Sequence, residues 1–286
     1  MIYHYTTIEA FNSILDCYKK SESKDNLIFW ASSIYQTNDP TEMRYGLTIL
    51  KNNLLIYEEE QSINNNIRLS AFLKEKSEHD ELGFWNNYFY NEKKMPFIIS
   101  FSCNEDFLPM WSMYAKNGTG LCLCFDKEEI HIENKELIAT PLLSTLYINQ
   151  KKNDPLTEKF LIESINDEYQ SYLKERVYDD YTKMTHAGTL LTFVSSFIKH
   201  NSYAYEREKR IILYAKDTTS SVLFRTSKQG NIIPYVRVPI PIKNLKEIII
   251  GPNINPQYIK TGLSMALKSC NLNPIISLSR IPYRQI

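Results

Sequence analysis

In Tyr205-Glu206-Arg207-Glu208-Lys209-Arg210, two carboxylates and a guanidinium recur at every second position, directly before the apolar run Ile211-Ile212-Leu213-Tyr214. The apolar tail reads as a strand entering a core, with the charged head at its mouth. Alternate side chains of a strand share a face, so Glu206, Glu208 and Arg210 are expected to project together. Two carboxylates beside a guanidinium on a rigid strand can stabilise a developing positive charge and orient a hydroxyl. The plainer reading of the same residues is a solvated strand end whose charges pair across a sheet.

A second candidate lies near the start, where His4 sits in Tyr3-His4-Tyr5-Thr6, a β-prone segment read as an edge of the first strand. Thr6-x-x-Glu9 has the spacing of a capping box, and Ile8, Phe11, Ile14 and Leu15 form the buried stripe of the helix that follows. This places His4 beside a helix N-terminus, a location that favours anions and fixes a ring. A half-buried histidine satisfied by a backbone group is the structural alternative. In Asn38-Asp39-Pro40-Thr41-Glu42 the residue types are those of an ordinary helix start. Trp111 and Tyr114 lie three apart on a short helix, so they either pack inward together or line a pocket.

Other chemistries find little support. The five histidines are scattered and no CxxC occurs, so a zinc site lacks its ligand spacing, and no metal is expected. Cys103 at a strand end could be a nucleophile with His4 or His200 as base, but carries no low-pKa signature. There is no GxSxG elbow, and none of the eight glycines falls in GxGxxG or GxxxxGK[ST].

Bulk properties fit a globular chain: 286 residues, 43% hydrophobic, 23% charged. Lys plus Arg and Asp plus Glu are 33 each, so net charge calls for neither nucleic acid nor a membrane surface. The odd cysteine count suits reduced thiols and a cytoplasmic location. The N-terminus lacks the pattern of a signal peptide, and the longest nearly apolar segment, Thr189 to Ile198, is too short to span a bilayer.

The elements that must position these groups are strands near 3–6, 27–31, 97–103, 121–126, 137–140, 144–148, 205–214, 221–224, 233–239, 245–250 and 275–279. Helices are expected over 43–60, 67–78, 81–91, 108–115, 156–183, 186–199 and 256–269. Helical blocks between strands argue for one α+β domain over 1–286, with helical insertions at about 43–92 and 156–200.

Taken in order, Tyr3-His4-Tyr5-Thr6, Asn38-Asp39-Pro40-Thr41-Glu42, Ile99-Ser100-Phe101-Ser102-Cys103, Met110-Trp111-Ser112-x-Tyr114-Ala115, Gly120-Leu-Cys-Leu-Cys-Phe125-Asp126 and Tyr205-Glu206-x-Glu208-x-Arg210 form a set. The set resembles the bacterial domain-of-unknown-function family 2971, over a span from residue 3 to Gly251-Pro252. Lys209 departs from it where a large aromatic residue, usually tryptophan, is expected. That family in turn resembles the ADP-ribosyltransferase fold, which implies a split β-sheet core forming a cleft for NAD.

Carried over by position, the resemblance implies that His4 fixes the ribose, with Thr6 helping, and that Glu208, or Glu206, is the catalytic acid. Asn38, Asp39 and Glu42 would shape the cleft. The aromatic stacking on nicotinamide stays open among Tyr35, Trp111 and Tyr114, and Tyr5, Ser102 and Arg210 join the cofactor-binding set. NAD would be the substrate, with no metal. The implied activity is ADP-ribose transfer to a macromolecule, nucleic acid or protein, in a bacterial toxin or anti-phage defence setting with an antitoxin or defence-system partner. An NAD glycohydrolase and a non-catalytic nucleotide- or protein-binding module stand as alternatives.

Overall fold

The computed structural model describes residues 1–286 except 38, 40–41, 79–94, 128–129, 131, 133, 150–154, 228–229, 253–254 and 284–286. In chain order the elements begin β1 (Ile2–Thr6), α1 (Ile8–Lys20), β2 (Asn26–Ser33), α2 (Glu42–Glu60), α3 (Leu69–Glu78), β3 (Phe97–Ser102), α4 (Leu108–Tyr114) and β4 (Leu121–Phe125). Then come β5 (Leu137–Ala139), β6 (Leu143–Ser144), β7 (Leu146–Ile148), α5 (Pro155–Glu175), α6 (Asp180–Ser195) and β8 (Ile198–His200). The chain closes with β9 (Glu208–Ala215), α7 (Thr218–Ser221), β10 (Leu223–Thr226), β11 (Ile232–Pro241), β12 (Leu245–Ile250), α8 (Pro256–Lys268) and β13 (Ile275–Leu278).

The fold is mixed α and β, with a mostly antiparallel sheet. Among the described residues eleven strands share that sheet, in the order β10-β11-β2-β3-β1-β4-β12-β13, with β9 also on β3 and both β5 and β6 on β9. Strands β7 and β8 form a separate parallel pair.

Strand β3 is the junction. One edge pairs with β9 from Phe97↔Leu213 to Ser102↔Glu208. The other edge is shared: β2 takes Phe97 and Ile98, and β1 takes Ser102. Between those contacts, at Ile99–Phe101, the sheet forks.

Side-chain alternation sorts the two faces. Phe97, Ile99 and Phe101 enter a core with Phe11, Phe29, Phe125, Ile211 and Leu213. Ile98 and Ile212 instead join a second cluster built by α2, α3, α5 and α6, including Leu50, Leu54, Leu161, Ile165 and Val194. Ser100, Ser102, Glu208 and Arg210 therefore share the face carrying the helical layer. That layer also holds buried polar groups: Glu58 accepts from the Tyr169 hydroxyl and from Ser70. His186 sits between Glu168 (2.6 Å) and Glu175 (2.8 Å).

Several boundaries differ from expectation for local reasons. The α1 cap is Thr7, whose Oγ1 accepts from Ala10 N, so the cap falls one residue after Thr6. Strand β1 runs from Ile2 to Thr6 between β3 and β4, so His4 is its middle residue and not at a strand end. The helix expected over 156–183 stops at Glu175, where Arg176 turns left-handed (φ 54°), and Asp179 caps α6 through its bond from Thr182 N. Helix α6 then ends at Ser195, so Ile198–His200 is strand, not helix. The strand expected at 144–148 is two short pieces, β6 and β7, and that expected at 221–224 is β10, preceded by α7. The helix expected over 81–91 lies outside the described residues.

The strand expected from Tyr205 also begins late. Asn201–Glu206 forms a 3-10 turn, Arg207 adopts φ 45°, and β9 starts at Glu208. Glu208 and Arg210 share a strand face as expected; Glu206 does not belong to the strand.

Candidate functional site

The left-handed residue Arg207 reverses the chain between the two acids, and β3 clamps that reversal. Ser102 Oγ donates to Glu206 O (2.7 Å), Asn104 Nδ2 to Tyr205 O (2.6 Å), and Cys103 N to Arg207 O (3.0 Å). Ser102 thus acts on the backbone of the acidic turn. The acids meet again through Lys199, whose Nζ donates to Glu206 Oε2 (2.7 Å) and Glu208 Oε2 (3.0 Å). The ammonium also lies 5.0 Å from the centroid of the Tyr203 ring.

Arg210 completes the cluster. Its Nε donates to Glu208 Oε1 (2.7 Å), Nη2 to Glu208 Oε2 (2.9 Å) and Nη1 to Ser196 O (2.7 Å). The paired Nε and Nη2 bonds make a two-point grip on one carboxylate, which fixes its plane. Glu208 N donates to the Tyr147 hydroxyl (2.7 Å), and Tyr114 OH donates to Glu206 Oε1 (2.6 Å). Lys199, Glu206, Glu208 and Arg210 are all buried, and their two positive and two negative charges balance. Unpaired ions in such a place would be prohibitively unfavourable, so the pairing is what lets them be buried.

The two acids are tuned in opposite directions. Burial alone would raise the Glu208 carboxyl, but the Arg210 guanidinium and Lys199 ammonium outweigh it and hold it at about 2. Glu206 is shifted above the usual carboxylate range, first by burial and then by its neighbour Glu208, against the pull of Lys199. A pair of carboxyls pushed apart in this way can divide roles at one site.

These groups line a pocket of about 380 Å³, within the size range of small-molecule sites. Its inner end carries Ser100, Ser102, Tyr114, Lys199, Glu206, Glu208 and Arg210. His4 and Tyr5 border it from β1, and Trp30, Ser32, Gln36, Thr37 and Arg225 form the outer end.

His4 occupies the fork. Its Nδ1 donates to Ser100 O (3.0 Å), supplying a partner for a carbonyl that lies where neither β1 nor β2 pairs with β3. A carbonyl only accepts, so Nδ1 bears the proton and Nε2 keeps the lone pair. The ring meets Phe29 and Phe101 edge-on, with centroids 5.2 and 5.8 Å apart. Burial lowers its pKa, so the imidazole is neutral near physiological pH. His4 therefore reaches the pocket from the aromatic side of the sheet, and the acids from the helical side.

Other expected site residues lie elsewhere. Trp111 is buried against Tyr5 (ring centroids 5.0 Å) and donates through Nε1 to Asp106 Oδ1 (2.8 Å), so it parts from Tyr114. Thr6 is buried where its carbonyl meets Gly120, and Tyr35 packs against the helical cluster. Asp39 is buried, and none of these four lines the pocket. Tyr5 borders the pocket, but its hydroxyl is occupied by Asn104 O and Phe107 N. Asn38 and the Glu42 side chain lie outside the described residues. Among the described residues Cys103 is not a pocket-lining residue.

Several contributors have no local signal in the sequence: Lys199 falls at the end of an expected helix, Trp30, Ser32, Ser100, Tyr147 and Arg225 sit in ordinary strand segments, and Gln36 and Thr37 in the turn after β2. An aromatic or basic residue at a solvated strand position looks the same whether or not a pocket opens above it.

Residues 110–211 match the family model described as Protein of unknown function (DUF2971). That segment carries Tyr114, Lys199, Glu206, Glu208 and Arg210, hence the whole charged cluster, and excludes His4, Ser102 and Arg225. No curated protein and no solved structure matches the chain. Among the described residues, no helix is long and apolar enough to cross a membrane, and no group of three or more His, Cys, Asp or Glu could hold a metal ion.

Proposed function

We propose that the pocket binds NAD and that the protein transfers its ADP-ribosyl group to a macromolecule, with Glu206 facing the reacting ribose. The observation that carries this reading is the adjacency of the two acids on Lys199, at the wall of a pocket that Ser100, Tyr114 and His4 also line. Both Glu208 oxygens are held by Arg210, whereas Glu206 accepts from Tyr114 on one oxygen and from Lys199 on the other, and keeps lone pairs for a ribose hydroxyl. Glu206, not Glu208, is thus the better placed of the two to act on a substrate.

The chemistry is simple in outline. As the bond between ribose C1′ and the nicotinamide nitrogen breaks, its electron pair leaves with nicotinamide, which becomes neutral. Positive charge develops on the ribose, where a carboxylate stabilises it. A nucleophile on the acceptor then gives its electron pair to C1′ and loses a proton. Hydrolysis differs only in that water is the nucleophile.

One observation favours a second reading: Lys199 and Arg210 already neutralise both acids, as suits a binding module that recognises a nucleotide without cleaving it. The test is incubation of the protein with labelled NAD and bacterial lysate, comparing wild type with Glu206→Gln. Transfer predicts labelled macromolecule that the variant does not make. Nicotinamide release without label selects hydrolysis. NAD affinity by calorimetry with no release selects the binding module, and neither affinity nor release ends the NAD reading.

A further inference from the structure

We propose that Arg225, anchored on Ser32 and flanked by Trp30, forms a phosphate subsite at the outer end of the pocket, which takes the diphosphate of an extended nucleotide ligand. This deepens the NAD reading and rests on it for the identity of the ligand, but not for the anion chemistry.

The contrast with Arg210 is the starting point. Arg210 spends its Nε and both terminal nitrogens on protein acceptors. Arg225 donates through Nη2 to Ser32 Oγ at 3.1 Å, while its buried Nε has no hydrogen-bond partner. A buried donor left unmade is unfavourable, the more so on a charged group. Among the described residues no carboxylate pairs with Arg225. The charges at the inner end cancel, so Arg225 gives the pocket its net positive charge. A guanidinium presenting adjacent donors is the geometry that phosphate oxygens fit best.

Position agrees with charge. Arg225 lies on β10, and its guanidinium reaches across β11 to Ser32 on β2. Ser32 pairs with Ile98, four residues before Ser102, which clamps the acidic turn. At about 3.3 Å per residue, that is roughly 13 Å along β3, so a ligand touching both ends is extended. Trp30 stands two residues before Ser32 on the same strand face and is 38% exposed. Tyr235 backs its ring at 4.9 Å, leaving an aromatic surface on the same pocket lining as the guanidinium. The strand register sets Trp30 on the far side of Ser32 from Arg225, toward the acidic end, so a ligand whose phosphate is held by Arg225 would pass the aromatic plane on its way to the acids.

The experiment is calorimetric titration of wild type, Arg225→Gln, Arg225→Lys and Ser32→Ala with inorganic pyrophosphate, ADP-ribose and nicotinamide riboside, each variant checked for an unchanged thermal transition. Pyrophosphate and ADP-ribose are expected to bind wild type and to weaken at least about ten-fold in Arg225→Gln, with Ser32→Ala between them. Nicotinamide riboside, which has no phosphate, should show no such dependence. Should Arg225→Gln fold poorly, Arg225→Lys and Ser32→Ala carry the comparison. No pyrophosphate binding to wild type at millimolar concentration, or equal binding by every folded variant, overturns the subsite. Pyrophosphate binding that depends on Arg225 without NAD affinity or cleavage keeps the subsite and removes the NAD reading. NAD cleavage with an unchanged KM in Arg225→Gln does the reverse.

Discussion

Lys199 Nζ lies 2.7 Å from Glu206 Oε2, with both side chains 2% exposed, and the same ammonium bridges to Glu208. One lysine from a three-residue strand thus joins an acid in a turn to an acid on a strand. The cluster is also the seam between the large sheet and the β7–β8 pair.

Replacing Lys199 with methionine keeps the aliphatic stem and removes the charge. Two buried carboxylates would then face each other with Arg210 gripping only one. Breaking a buried pair from one side is unfavourable by about 3–5 kcal/mol, and Lys199→Met is expected to lose that much stability at neutral pH. Urea unfolding measures it. Because Glu206 can take up a proton in acid, the loss should shrink as pH falls. A loss under about 1 kcal/mol, flat with pH, would mean that the pairing contributes little beyond its geometry.

The two acids should leave opposite marks on stability against pH. Glu208 is held at about 2, below its ordinary 4.5, so it favours folding above 4.5 and its contribution disappears between 4.5 and about 2. A shift of that size corresponds to about 3 kcal/mol. Glu206 is shifted upward, so its contribution is full below the ordinary value and fades as pH rises through its folded pKa. Urea curves across the acid range should therefore show Glu208→Gln closing its gap to wild type as pH falls. Glu206→Gln should close its gap as pH rises. Parallel trends in the two variants would contradict the assigned tuning.

His4→Phe separates packing from hydrogen bonding at the fork. The new ring can keep the edge contacts with Phe29 and Phe101 but cannot donate to Ser100 O. Leaving that carbonyl unpaired is expected to be unfavourable by about 1–3 kcal/mol. Wild-type stability in this variant would show that the fork does not depend on the imidazole. NAD turnover in the same variant tests separately whether His4 acts on substrate.

Two glycine substitutions in helices should have opposite signs. Gly262 in α8 has open space around it, so Gly262→Ala is expected to stabilise by about 0.5–1 kcal/mol through helix propensity. At Gly46 in α2, a Cβ would fall 2.6 Å from Ser195 O and 2.7 Å from Ser195 Cβ. Gly46→Ala is expected to destabilise by about 1–3 kcal/mol as α2 is pushed from α6. Thermal unfolding of the pair decides whether the close approach matters.

Much was legible in the sequence because it is a local property. Alternation and β-branched runs predicted β3, β4, β9 and β12, and the Met43, Leu47, Leu50, Leu54 spacing predicted α2, with all four side chains buried. The pairing of Glu208 with Arg210 on one strand face also follows from the two-residue period. The placement of Glu206 does not, because it turns on the left-handed residue Arg207, and nothing in an arginine's side chain announces φ 45°. Lys199 was hidden for another reason: its apolar neighbours continue a helical pattern, and only pairing of β8 with β7 makes it a strand residue. The fork that His4 fills, and the meeting of Trp30 and Arg225 at the outer end of the pocket, depend on which distant strands become neighbours. Periodicity fixes which way a side chain points from its own strand. The company it keeps there is set by long-range packing, and that decided the charged site.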